Sequence, residues 1–417
     1  MAVDLSRNGY SHEQVRDVLH MKHGSRQVRF RYFLLDKDEN EKAEISNIVE
    51  SGSIEQSAFS DIKRTAKFKL KESKYIDRDG EEQDIDWNTD RIQVFVEFKV
   101  PDWFEQVEET DTNVYFLQAS QPIEMQRRKI YFTKKEGGWI DFSLGVFLLA
   151  SPVRNDEGEN IYREVEAYDK LLVTKEDKVT DRYTITAGTR YYDAMVNVLQ
   201  SAGINEYNIE NNDKVLPNAK EYDPGTEKLT ILNDLASDLN FTPFWVDEWG
   251  FYRSNQYRSP QEQASDYTYQ DDELSIMAPG VEEELDLFDI PNVFTVVVAN
   301  PDTDDEFIST VENWNPNHPR SIPSLGRRVV RFEEKDDIAD QESLDAYVER
   351  LAFESSQIYG RVRFQTAIMP FHSYSNVLRI INSKLGINDK YSEVSWKMKL
   401  ESGADMEHEA RRVVSLI

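Results

Sequence analysis

Histidine is the side chain best suited to proton transfer or metal ligation near neutral pH, and this chain carries six, at positions 12, 20, 23, 318, 372 and 408. His12, His20 and His23 fall on one short segment, a short helix or its end, but no further ligand is predicted with them, so zinc is not assigned there. Zero cysteines remove thiol nucleophiles, disulfide frameworks and cysteine metal sites together. A Ser-His-Asp triad needs a nucleophile on a sharp turn; no GxSxG elbow is present, and Ser143-Leu144-Gly145 lies inside a strand-like run. A glycosidase needs two carboxylates at a set separation, and among 78 acidic residues the sequence singles out no pair. Asp77-Arg78-Asp79-Gly80 and Asp302-Thr303-Asp304-Asp305-Glu306 resemble fragments of calcium loops without the full EF-hand spacing, and hairpin turns account for both. Arg327, Arg328 and Arg331 alternate along a strand and are expected to pair with acidic neighbours. No catalytic, cofactor-binding or metal-ligating residue is therefore assigned, and no cofactor is expected.

At 417 residues the chain exceeds the size of a single core and implies several domains. Its 39% hydrophobic content, with 12% aromatic, is that of a folded protein. No run reaches the roughly 18 apolar residues of a membrane helix, and the N-terminal MAVDLSRNGYSHEQVRDVLHMKHG lacks the apolar stretch of a signal peptide. A net charge of -29 argues against a nucleic-acid binder, because phosphate-neutralising Lys and Arg dominate such affinities. Two readings of the acidity stand: general solubility, or a surface past which DNA slides without sticking.

The elements that would position such residues are mainly strands. Trp139 to Leu172 reads as two strands hinged on the polar turn Arg154 to Glu159, the first rich in aromatic and branched residues, the second alternating Val165 and Ala167 with Glu164, Glu166 and Tyr168. A short helix is expected around Ser11 to Met21, and strands at Val28 to Leu35, around Ala66-Phe68-Leu70, around Val94-Val96-Phe98-Val100, at Val114 to Leu117 and at Lys129 to Thr133. Residues 1–180 thus form a first β-rich unit with the turn spacing of a barrel or sandwich. Residues 181–272 are mixed. Thr189 is placed to cap a helix carrying Tyr191, Met195, Val198 and Leu199 and ending at Gly203, a second helix carries Leu229, Leu232, Leu235 and Leu239, a hairpin spans Pro243 to Arg253, and Ser259 to Asp272 reads as a polar linker. Residues 273–417 return to strands at Asn292 to Ala299, Phe307 to Asn313, Arg327 to Phe332 and Arg361 to Ile368, with one helix at about Asp340 to Ile358. The fold class is α+β, mostly β.

Four segments in order, Trp139 to Leu149, Glu166-Ala167-Tyr168-Asp169-Lys170-Leu171, Leu229 to Tyr252, and Asp289-Ile290-Pro291-Asn292-Val293-Phe294, resemble the tail or baseplate hub proteins of tailed phages and prophage-like particles, the fold of the T-even baseplate hub and of secretion-system spike bases. The resemblance covers about residues 26 to 375 and rests on the order and spacing of the segments. It implies a homotrimer in which two tube-like β-barrel domains per subunit, flanking the smaller mixed domain, make a pseudo-sixfold ring. That ring would join the tail tube or distal tail protein to a central spike, fibre or tail lysin, and would surround the channel for the tape measure protein and DNA, bound without specificity. The resemblance implies no catalytic residue. Many relatives continue into a peptidase or wall-degrading domain, whereas this sequence finishes in Arg411-Arg412-Val413-Val414-Ser415-Leu416-Ile417, so a lysin is expected on another chain. A competing reading, a carbohydrate- or receptor-binding tail protein, rests on Trp249, Trp314 and Tyr374 on expected turns or loops.

Overall fold

Ala66, Phe68 and Leu70 turn inward while Lys67, Lys69 and Lys71 stay outside, and this strict alternation makes Arg64–Lys71 a strand with one dry face and one wet face. The same physics recurs across a thirteen-stranded sheet in the computed structural model, which describes residues 3–22, 24–118, 121–156, 158, 161–285, 291–299, 306–335, 338–356 and 360–412. In chain order its strands are β1 (Val28–Leu35), β2 (Glu41–Glu44), β3 (Val49–Ser57), β4 (Arg64–Lys71), β5 (Arg91–Lys99), β6 (Trp139–Asp156), β7 (Ile161–Tyr168), β8 (Tyr267–Gln270), β9 (Glu282–Leu285), β10 (Gly360–Ala367), β11 (Val377–Asn382), β12 (Ile387–Lys399) and β13 (Asp405–Arg412). They lie in the order β9-β10-β13-β12-β3-β4-β7-β6-β5-β1-β2, with β11 on β12 and β8 parallel to β11. The sheet thus joins the first and last parts of the chain where β12 runs antiparallel to β3, Ser395 opposite Ser57 and Lys399 opposite Ser53. The protein is α+β and mostly β.

The chain divides into two compact units, one of residues 1–3, 30–96 and 142–417, the other of residues 4–29 and 97–141. In the second unit, helix α1 (His12–Leu19) starts at a Ser11/Gln14 capping box, as the sequence indicates. A two-stranded ribbon, Trp103–Gln118 with Gln121–Lys135, carries the expected strands at Val114 and Lys129. Tyr10 packs edge-on against Trp103, ring centroids 5.6 Å apart, and Arg29 lies over the Trp139 ring at 4.0 Å.

In the first unit, α2 (Leu171–Glu176), α3 (Tyr191–Ser201) and α4 (Lys228–Asp238) share a core with Phe244, Val246 and Tyr252. The α3 start differs from the sequence reading. Arg190 is the N-cap and makes no side-chain cap bond, since a guanidinium has no acceptor, while the Thr189 hydroxyl lies 3.1 Å from that of Thr186. The Pro243 to Arg253 hairpin forms as expected, Trp245–Val246 against Tyr252–Ser254. A further sheet, Val293–Ala299, Glu306–Glu312 and Val330–Lys335, packs Phe294, Val296 and Val298 on Leu344 and Val348 of α6 (Gln341–Ser356); α5 (Ile322–Leu325) precedes it. Two other readings are corrected. The polar Ser259 to Asp272 stretch contains β8, anchored where the Asp266 carboxylate accepts the Val377 amide at 2.9 Å. Beyond Ile368, within the β-rich last third but where the sequence reading named no individual strand, come β11, β12 and β13. Among the described residues, no helix is long and apolar enough to cross a membrane.

Candidate functional site

The Tyr168-Asp169-Lys170 step closes β7 and opens α2, and its charges are spent on holding that corner. Asp169 is buried; its two carboxylate oxygens accept the Arg64 and Leu171 amides at 2.8 and 2.9 Å. Burial pushes its carboxyl up to about 6, against those two bonds and the nearby Arg64 charge. Lys170 is 1% exposed, with Nζ 2.5 Å from Glu39 and 3.4 Å from Glu206, and its carbonyl accepts the Tyr252 hydroxyl. Arg64 donates to the Leu144 carbonyl at 2.9 Å, beside Gly145, whose φ of +138° belongs to glycine. Three of the four segments singled out in the sequence therefore meet at one corner. These bonds hold the corner together, although the buried Arg64 Nε has no hydrogen-bond partner among the described residues.

A second buried cluster was not foreseen. Its members come from four strands and one turn: Tyr269 of β8, Thr366 of β10, His372, Glu393 of β12 and His408 of β13. Each oxygen of Glu393 takes a different ring, His372 Nδ1 at 2.6 Å and His408 Nδ1 at 2.7 Å, while His372 Nε2 is 2.5 Å from the Tyr269 hydroxyl and His408 Nε2 is 2.9 Å from that of Thr366. Burial drives His408 down to about 4, so its ring is neutral at pH 7, donating from Nδ1 and accepting at Nε2. Burial also pushes the Glu393 carboxyl up, but the two histidines outweigh it and hold the group below the ordinary glutamate value. Two histidines and a glutamate are a plausible zinc set by type, with ligand atoms all within 4.8 Å. The spacing refuses it. Tetrahedral ligands at ~2.1 Å from zinc stand roughly 3.4 Å apart, whereas these contacts have hydrogen-bond lengths and use separate oxygens. The cluster is a satisfied hydrogen-bond network. It was hidden in the sequence because the strands carrying Tyr269, Glu393 and His408 were not recognised.

The wet face of the main sheet carries a third arrangement, in which sign alternates strand by strand. Glu282 and Glu284 of β9 face Arg363 and Arg361 of β10, which in turn reach Glu409 of β13 at 3.1 and 3.5 Å. Glu407 of β13 stands opposite Lys397 of β12, and Lys397 is 3.9 Å from Glu55 of β3. Lys67 and Lys69 of β4 then face Glu166 and Glu164 of β7, with Lys67 3.5 Å from Glu166. Arg411 is the exception in its column and lies over the Phe59 ring at 4.4 Å. The opposite faces of the same strands present Ile54, Phe68, Val165, Val362, Trp396 and Met406 to the core.

The remaining sequence candidates are scattered. His12 Nδ1 accepts the Leu5 amide at 3.2 Å, His20 is the C-cap of α1, and His23 lies outside the described residues. The Ser143 hydroxyl donates to the Glu248 carbonyl at 2.6 Å. Asp77 accepts from Asp79 and Glu81 within a hairpin turn, while residues 301–305 lie outside the described residues, as do Asp289 and Ile290 of the fourth segment and residues 413–417. Arg328 pairs with Glu312 and Arg331 with Glu333, as expected. Trp249 and Trp314 are exposed, but Tyr374 is half-buried and stacked on Trp245 at 5.6 Å.

No known family profile matches this sequence, and no curated protein matches it. The fold does find neighbours. The chain shares the fold of phage tail proteins. The tail protein of Neisseria meningitidis superposes with a TM-score of 0.57 at 8% identity, over 93% of this chain and 97% of its own. The tail protein of prophage MuSo2 from Shewanella oneidensis gives 0.53 at 10% identity over 93% and 98%, and a prophage tail protein from Listeria monocytogenes 0.53 at 10% over 91% and 94%.

Proposed function

We propose that this chain is a structural, non-enzymatic hub at the tail tip or baseplate of a tailed phage or phage-like particle. The observation that carries the reading is the whole-length match to prophage tail proteins, over more than nine-tenths of both partners. Three subunits form a ring with pseudo-sixfold symmetry, each contributing two tube-like β-barrel domains, residues 1–180 and 273–417, flanking the mixed domain of residues 181–272. The ring adapts the tail tube or distal tail protein above to a central spike, fibre or tail lysin below, and surrounds the channel through which the tape measure protein and then DNA pass during ejection. Closing a ring also protects open sheet edges, which in a lone subunit are free to pair wrongly. The protein assembles in the host cytoplasm and resides in the virion tail. Native mass measurement of the chain with its tail partners tests this: three copies per ring are expected, and six copies would overturn the threefold reading.

A carbohydrate- or receptor-binding role is favoured only by the exposed Trp249 and Trp314. Binding of the purified chain on a glycan array would support it; labelling at the tail tip without glycan binding would remove it.

A further inference from the structure

We propose that the charge-alternating face of the main sheet stays in water when the ring assembles, and that it forms a stretch of wall along which a polyanion passes without adhering. The inference rests on the ring reading above and says how the wall works: by cancelling its own field, not by being acidic. The chain as a whole carries -29, yet on this face acidic and basic columns alternate from β9 to β7. Neighbouring strands are ~4.8 Å apart, so the sign pattern repeats about every 10 Å. The potential above such a pattern falls by a factor e within roughly 1.5 Å, far inside the ~8 Å Debye length of physiological salt. A phosphate one water layer away feels little attraction and little repulsion. Counterion release fails as well, because lysines such as Lys67 and Lys397 already face carboxylates fixed to neighbouring strands rather than mobile anions that DNA binding would set free.

The face is also a poor subunit interface. Burying it would desolvate many charges for little apolar gain, whereas Ile308, Val330 and Phe332, each more than half exposed, offer an apolar patch on another sheet of the same unit.

The absence of cysteine makes the test direct. Single substitutions Glu166→Cys, Lys397→Cys and Phe332→Cys are labelled with a small maleimide before and after assembly with the tail partners. Continued labelling at 166 and 397, with protection at 332, is the expected result. Loss of labelling at 166 and 397 on assembly overturns the proposal, because the face is then a contact. Failure of the chain to assemble at all instead defeats the ring reading. The charge mechanism is read separately on the purified chain. Wild type should not retain duplex DNA at 50 mM salt, and retention would overturn the proposal. The E164K/E166K variant, which adds two lysines and removes the carboxylate partner of Lys67, should retain it with a log affinity falling against log salt at a slope of about -2.7 for three phosphates. The milder E164Q/E166Q variant should show about a third of that slope. No retention by either folded variant would likewise overturn the field-cancelling account.

Discussion

At the residue scale, the two buried networks respond to acid in opposite directions. His408 in the folded chain titrates at about 4, below its ordinary 6.5, so as pH falls the unfolded chain takes that proton first. Its contribution to stability is complete above pH 6.5 and is lost down to about pH 4, and Glu393, held below 4.5, extends the loss at the acid end. Asp169 runs the other way. Its folded value of about 6 lies above the ordinary 3.8, so the folded chain takes the proton first and gains stability as pH falls from 6 to 3.8. Asp169→Asn takes the acceptor from one backbone donor, at about 1–3 kcal/mol, but also removes the buried charge that opposes folding above pH 6, so its deficit against wild type should be smallest at pH 7 and grow as pH falls from 6 to 4. Urea unfolding at steps of pH measures both, and parallel curves for the two proteins would contradict the Asp169 assignment. The hydrogen-bonded reading of His372, Glu393 and His408 predicts in addition that neither EDTA nor added zinc shifts the melting temperature. Stoichiometric zinc that raises it would replace that reading with a metal site.

At the element scale, what the sequence disclosed depended on how cleanly apolar residues alternate. β4 and β5 were legible because aliphatic and aromatic side chains mark every second position, and α3 and α4 because Met195, Leu199, Leu232 and Leu235 recur at helical spacing. β13 was not, since its inward residues are Met406, His408 and Ala410 set among carboxylates and arginines. β12 was harder still: a register shift between Glu393 and Ser395 breaks its period, and Glu393 points inward. The residues that hid these strands are the ones that build the histidine network and the charged face, so the sites were illegible for the same reason as the elements. Gly145 shows a further limit. Its place inside β6 looked ordinary in sequence, yet a Cβ there would lie 2.9 Å from the Phe147 ring on a backbone with φ of +138°. Gly145→Ala should cost about 1–3 kcal/mol from backbone strain, with an added packing loss at Phe147. Gly188→Ala, at φ of +80° with nothing within 4 Å of the added carbon, should cost clearly less. Thermal melts of the two variants compare them, and equal losses would deny Gly145 its special role.

At the scale of the whole molecule, the decisive fact is the β3–β12 seam, which pairs strands from opposite ends of the chain and is reinforced where the Trp396 indole donates to Gln56 at 2.8 Å, 340 residues away in sequence. Closing so long a loop adds only slowly growing entropy to the thermodynamic cost, but it delays the contact until both halves have substantially formed. Each half alone then carries an unpaired edge, β3 in one and β12 in the other, with hydrogen-bonding groups open to other chains. Residues 1–272 and 273–417 expressed separately should accordingly aggregate or remain incompletely folded, and co-expressed should associate one to one with the circular dichroism of the intact chain. A monomeric 273–417 fragment with its own cooperative unfolding would show that this part of the chain folds without the seam. The seam also bears on assembly. Because it unites the first and last parts of the chain in one sheet, a chain that has not closed it presents two loose halves, while a closed one holds them in fixed register, so formation of the proposed ring should require the seam first. Met398→Pro, which removes a backbone N–H from β12 opposite Ile54, should therefore abolish oligomers in size-exclusion chromatography even where the variant remains soluble; full-size oligomers from it would separate ring assembly from the seam.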